Sequence, residues 1–206
     1  MDIVHCLALA CAIVLSGCSA HRDADTQNKT HSHQAESLTL EQPEIPISVQ
    51  VYQLKSVQKS SGIMKPDFSW IANGQEIKFS EFTKGKAVFL NYWATWCPPC
   101  RREIPDIVEL AKEYGDRVVF IGIALENEDK ASEAEKLVKA YASKSNINYI
   151  NLVGDANLVD MLASLYGTVQ AIPTTFIFNR SGQVVQRIDG SADKQGFLQE
   201  LRKAIE

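Results

Sequence analysis

Histidine and cysteine are almost missing from the greater part of this 206-residue chain. All four histidines, His5, His21, His31 and His33, fall within the first 33 residues, and three of five cysteines, Cys6, Cys11 and Cys18, within the first 18. A structural zinc centre needs four ligands, drawn as a rule from Cys and His. Beyond residue 33 the chain offers only Cys97 and Cys100, which argues against zinc, and no metal is expected. Positive charge is also scarce: 21 Lys and Arg stand against 25 Asp and Glu, for a net charge of −4. Without a basic stripe, no nucleic-acid partner is expected. Long apolar runs are missing as well, since Ile3 to Gly17 falls short of the roughly 20 residues that a membrane-spanning helix needs. No internal repeat is present.

What remains is the composition of one globular domain with a tail, 45% hydrophobic and 22% charged. Residues 1–17 have the length and apolar character of a signal-peptide core. They end in Leu15-Ser16-Gly17, and with Cys18 this resembles the lipobox of bacterial lipoproteins. That resemblance implies cleavage before Cys18, acylation of its thiol and amine, and a membrane anchor to which each buried methylene contributes about 0.8 kcal/mol. The expected location is the cell envelope, outside the cytoplasm, facing the periplasm in a Gram-negative cell. Ser19 follows Cys18, which tilts sorting toward an outer membrane. The n-region holds Asp2 and His5 but neither Lys nor Arg, so an ordinary secretory leader or an uncleaved anchor are the alternatives.

Residues 18–44 carry Ser, His, Gln and Glu with almost no large apolar side chain. They cannot bury enough surface to offset their ordering entropy, and read as a tether spanning about 30 Å as a flexible coil. His31 and His33 could bind a metal only weakly, so a solvated tether is the better reading. The globular domain is expected over 45–206, with its core from about residue 66.

Ile45 to Leu54 alternates in part and reads as a strand without an evident partner. Asn73-Gly74 signals a hairpin turn, after which Ile77 and Phe79 alternate. Ala87 to Trp93 is a nearly continuous apolar run, as expected for a strand buried on both faces. Ile104, Ile107, Val108, Leu110, Ala111 and Tyr114 recur at helical spacing up to Gly115, with a kink expected at Pro105. A second buried strand is expected over Arg117–Leu125, helices over Asp129–Lys144 and Ala156–Tyr166, and a short strand over Tyr149–Val153. A hairpin of Thr174–Phe178 and Gln183–Ile188 follows, then a helix over Asp193–Ile205. Strand–helix–strand order implies parallel pairs with right-handed crossovers. The fold class is α/β, a mixed sheet flanked by helices.

Trp96-Cys97-Pro98-Pro99-Cys100 lies between the first buried strand and the helical pattern. Two cysteines so spaced at a helix start make a reversible dithiol/disulfide. A thiolate in the first helical turn is stabilised by free N–H groups and the helix dipole, and Cys97, at the exposed end, is the candidate nucleophile. Cys100, one turn on, can resolve the mixed disulfide that Cys97 forms. Pro98 and Pro99 donate no hydrogen bond to sulfur, which favours a stable disulfide and a reducing protein. A purely structural disulfide would close too small a loop to stabilise much.

The run Asn91-Tyr92-Trp93-Ala94-Thr95-Trp96-Cys97-Pro98-Pro99-Cys100-Arg101-Arg102-Glu103-Ile104-Pro105 resembles the TlpA/ResA-type thiol-disulfide oxidoreductases, membrane-tethered proteins of thioredoxin fold. The similarity extends from about Pro66 to the C-terminus. It implies a thioredoxin-like fold with an N-terminal hairpin extension, a cis bond before Pro173 beside the cysteines, and a glutamate, matched by Glu103, that tunes thiol acidity. Asn91 stands where thioredoxin has a buried, titratable aspartate, which leaves any proton transfer to Glu103. Trp96 is expected to shield the sulfurs and offer an apolar docking surface.

The function expected is reduction of disulfides in partner proteins, for example in cytochrome c or copper-site maturation, with electrons from a membrane thiol reductase and no cofactor besides the cysteine pair. A disulfide-donating oxidase and a lipoprotein that binds copper(I) or a partner without catalysis are the alternatives.

Overall fold

The computed structural model describes residues 49–59 and 66–206. The leader, Cys18, the tether with His31 and His33, and the start of the Ile45–Leu54 segment lie outside them. Strands β1 (Val51–Gln58), β2 (Asp67–Ala72) and β3 (Gln75–Lys78) are followed by a short helix α1 (Phe79–Phe82). Then come β4 (Ala87–Trp93), α2 (Pro98–Tyr114), β5 (Val118–Ala124), α3 (Ala131–Lys144), β6 (Ile150–Val153) and α4 (Ala156–Ala163). Strands β7 (Thr174–Phe178) and β8 (Val184–Asp189) and helix α5 (Lys194–Ile205) complete the domain.

All eight strands form one sheet in the order β3-β2-β1-β6-β5-β4-β7-β8. The central run is parallel (β1 with β6, β6 with β5, β5 with β4), and the remaining pairs are antiparallel. This is the mixed, helix-flanked sheet of a thioredoxin-like fold. The N-terminal extension is a three-stranded meander, one strand more than a hairpin, and β1 finds its partners in β2 and β6.

Every residue of β4 and β5 is buried, which accounts for their unbroken apolar runs. Because side chains alternate across a strand, β4 feeds two cores. Phe89 and Trp93 join Ile104, Ile107 and Leu110 of α2 and Phe197 of α5 on one face. Val88, Leu90 and Tyr92 join Phe68, Trp70, Leu162 and Phe176 on the other. The β2–β3 turn places Asn73 and Gly74 at φ of 51° and 76°, the left-handed pair that a two-residue hairpin requires.

Three expectations are corrected. Strand β1 starts at Val51 and ends at Gln58, later than the alternation in Ile45–Leu54 suggested. A register shift between Leu54 and Ser56 brings Leu54 and Val57 to the same core while Val51 faces the other, so the buried positions recur at a spacing of three that masks the strand period. Phe79 does not extend β3 but opens α1, where its ring stacks on Phe68 at 4.4 Å between centroids. Helix α4 stops at Ala163, short of Tyr166. Helix α2 meanwhile continues through Pro105.

Gly122 sits at the centre of the sheet, paired with Asn91 on one side and Asn151 on the other. A Cβ there would lie 2.5 Å from Asn151 Oδ1 and 2.7 Å from Trp93 Nε1, between two groups hydrogen-bonded to each other at 3.1 Å. Gly122→Ala is expected to destabilise the oxidised protein by about 2 kcal/mol, the range for overpacking. Urea unfolding monitored by Trp fluorescence would measure it.

Candidate redox site

The polypeptide leaves the end of β4, turns through Ala94-Thr95-Trp96, and enters α2 at Pro98. Cys97 is the N-cap residue, with extended backbone at φ −89° and ψ 106°. Pro98 and Pro99 occupy the first two helical positions, where a missing N–H removes nothing the helix would use. Cys97 and Cys100 are joined in a disulfide with their Cα atoms 5.3 Å apart. The first N–H of α2 able to reach sulfur is that of Cys100, which donates to Cys97 Sγ at 3.2 Å. Cys97 is less open than the sequence suggested: it is 2% exposed, packed in one core with Trp93, Ala94 and Ile104, while Cys100 is fully buried. Its chain neighbours Trp96 and Pro98 are exposed.

Opposite the disulfide lies the loop before β7. The Ile172–Pro173 bond is cis, and the carbonyl oxygen of Ile172 is 3.7 Å from Cys97 Sγ. The structure thus brings together Trp96, Cys97, Cys100 and the Pro173 loop.

Glu103 lies one helical turn beyond Cys100 and is 2% exposed. Asn91 Nδ2 donates to its Oε1 at 2.9 Å and the backbone N–H of Ala192 to its Oε2 at 3.3 Å. The same Asn91 amide donates to Thr175 Oγ1 at 3.0 Å, and Asn91 Oδ1 is buried without a partner. Burial pushes the Glu103 carboxyl from 4.5 up to about 7, with the two hydrogen bonds opposing the rise and the nearby Asp106 charge adding to it. The buried phenol of Tyr149 is pushed up too, first by desolvation and then by proximity to Glu103. Asn91 does not titrate, but it holds the group that does.

One contributor escaped the sequence reading. Glu126 accepts from the Thr95 N–H at 2.7 Å and from Thr95 Oγ1 at 2.8 Å, clamping the loop two residues before Cys97. A usable signal existed. The C-terminal ends of adjacent parallel strands converge, so the first acid after β5 faces the turn after β4. Trp96, 51% exposed, and Ile172 also border an open groove of about 600 Å³.

Residues 62–187 match the family model described as the AhpC/TSA family. The thiol-disulfide oxidoreductase ResA of Bacillus thuringiensis subsp. konkukian is 35% identical over 130 residues, 63% of this chain and 69% of that protein. The crystal structure of a thiol:disulfide interchange protein of the thioredoxin family from Chlorobium tepidum TLS superposes with a TM-score of 0.58 at 31% identity. It covers 72% of this chain and 100% of the other. An exposed lipoprotein thioredoxin from Streptococcus pneumoniae TIGR4 superposes with a TM-score of 0.54 at 29% identity, over 66% of this chain and 98% of that one.

Proposed function

Because the chain belongs to the AhpC/TSA family of thioredoxin-like proteins and is a thiol-disulfide oxidoreductase of the ResA type, we propose that it reduces disulfides in partner proteins outside the cytoplasm, through Cys97 and Cys100. The observation that carries this reading is the pair spanning the first turn of α2, with the first cysteine at the N-cap and the second one turn further in.

In the proposed cycle the Cys97 thiolate attacks one sulfur of a client disulfide. A Cys97–client bond forms, and the other client sulfur leaves as a thiolate. Cys100, deprotonated, then attacks Cys97 Sγ, closing the intramolecular disulfide and releasing the second client thiolate. Two electrons pass from the dithiol to the client, and the proton shed by Cys100 goes to Glu103, whose carboxyl, pushed up to about 7, can hold or release it near neutrality. A membrane dithiol reductase resets the pair, since the compartment is otherwise oxidising. Trp96 offers the client an apolar face beside Cys97.

The scarcity of donors at Cys97 supports this direction of flow. With Pro98 and Pro99 unable to donate, the Cys100 N–H is the one donor among the described residues that reaches its sulfur, so the thiolate is stabilised little and the disulfide is favoured. Anchoring through Cys18, residues 1–17 as a signal peptide and residues 18–44 as a tether belong to this proposal. The likeness to an exposed lipoprotein thioredoxin supports them. Cytochrome c or copper-site maturation is the proposed setting.

The test is a redox titration of the full chain in non-ionic detergent against glutathione and dithiothreitol buffers. A midpoint near or below about −270 mV is expected, the value for thioredoxin. A midpoint near about −120 mV, that of a strong periplasmic oxidant, would overturn the reductase and make the protein a disulfide donor.

A further inference from the structure

The groove beside the disulfide has a distinctive chemistry. Trp96, Leu125, Val159 and Ile172 give it an apolar lining that borders the redox centre, because Trp96 precedes Cys97 and the Ile172 carbonyl oxygen lies 3.7 Å from Cys97 Sγ. Its charged groups are Glu126, Glu128, Asp129 and Asp160, four carboxylates with no Lys or Arg among the lining residues. None of the four has an ion-pair partner among the described residues, and the next cation along the chain, Lys130, pairs with Glu133 instead. Arg101, on the first turn of α2, lies over the Tyr141 ring. The carboxylates do not converge on one point: no three Asp, Glu, His or Cys among the described residues come together as a metal-binding group. They form an extended acidic wall along an apolar floor, which is the complement of a peptide and not of a single ion.

We propose that this groove selects client segments in which the disulfide cysteine is flanked by apolar residues and by Lys or Arg. This inference rests on the thiol-reductase reading and names its substrate class. An apolar side chain on the floor against Trp96 and Val159 would seat the segment. Its cations would lie along the carboxylate wall, holding the client sulfur at Cys97 for the exchange described above. Charges of this kind act mainly on encounter and orientation, so their effect falls with ionic strength.

The experiment uses the reduced full chain and two peptides that share one intramolecular disulfide and one apolar residue, differing only in Lys or Glu at the flanking positions. Reduction of hydroxyethyl disulfide, which is small and uncharged, is followed in parallel. At low salt the Lys peptide is expected to react about tenfold faster in kcat/KM. The ratio should shrink toward one as the screening length falls from about 30 Å to about 3 Å at high salt. The combined Glu128→Gln, Asp129→Asn and Asp160→Asn variant should lose the same preference; Glu126 is left intact because it clamps Thr95.

Equal rates for the two peptides at low salt, with hydroxyethyl disulfide still reduced, would overturn the inference and leave the reductase standing, as an apolar groove blind to charge. A preference that survives in the triple variant would also overturn it. Failure to reduce hydroxyethyl disulfide would overturn the reductase reading itself.

Discussion

Cys100→Ser is expected to turn a protein that releases its client into one that keeps it. With no second thiol to attack Cys97 Sγ, the Cys97–client bond can be broken only by an external thiol. Client reduction should fall at least about a thousandfold, because the lost step was intramolecular. Non-reducing electrophoresis should show a covalent adduct that dithiothreitol dissolves. Cys97→Ser should form no adduct, because its remaining sulfur is the fully buried one behind the N-cap, whereas Cys97 is bracketed by the exposed Trp96 and Pro98. An adduct trapped by Cys97→Ser and missing from Cys100→Ser would reverse the two roles. A protein that traps in neither variant is not working by thiol exchange.

Glu103→Gln should change stability in a direction set by pH. The carboxyl titrates at about 7 in the folded chain against an ordinary value of 4.5, so between those values the folded state holds a proton that the unfolded state has given up. Stability from this group is therefore fully present below about pH 4.5 and is lost as pH rises through 7. Above that, the buried charge destabilises the fold by up to about 3 kcal/mol. Glutamine carries no charge and can still accept the Asn91 hydrogen bond. The variant should thus be more stable than the parent at pH 8 by as much as that amount, and equal or weaker near pH 4.5, where it loses only the contact to Ala192 N–H. Urea unfolding of both oxidised proteins at the two pH values measures the crossover. A difference that does not vary with pH would show that folding does not shift the Glu103 carboxyl from its ordinary value.

The central strands were readable because β4 and β5 are buried on both faces, so their sequences are apolar throughout. Strand β7 was readable from its bounds alone. The cysteine pair was visible by type and spacing, and resemblance placed Trp96, Glu103 and Pro173. What stayed hidden depends on contacts between distant segments. The register shift in β1 breaks the period of two that would reveal it. Phe79 looks like a strand residue until Phe68 supplies the ring it stacks on. The Glu126 clamp joins residues 31 apart, and the acidic wall draws Asp160 from α4 to the residues following β5. No window of sequence contains both halves of either.

Strand β1 also carries a kinetic consequence. It is translated before the rest of the sheet, yet its parallel partner is β6, with Val51 opposite Asn151. Closing a loop of that length must precede any gain from the pairing, and such non-local contacts form slowly. Until Asn151 arrives, β1, β2 and β3 stand as a meander with one long flank unpaired, the kind of edge that recruits a second chain. The elements that carry the cysteines need no such wait, since β4, α2 and β5 are consecutive. The dithiol turn can therefore form while the N-terminal strands are still seeking their place, because the β1–β6 ladder joins residues about a hundred positions apart.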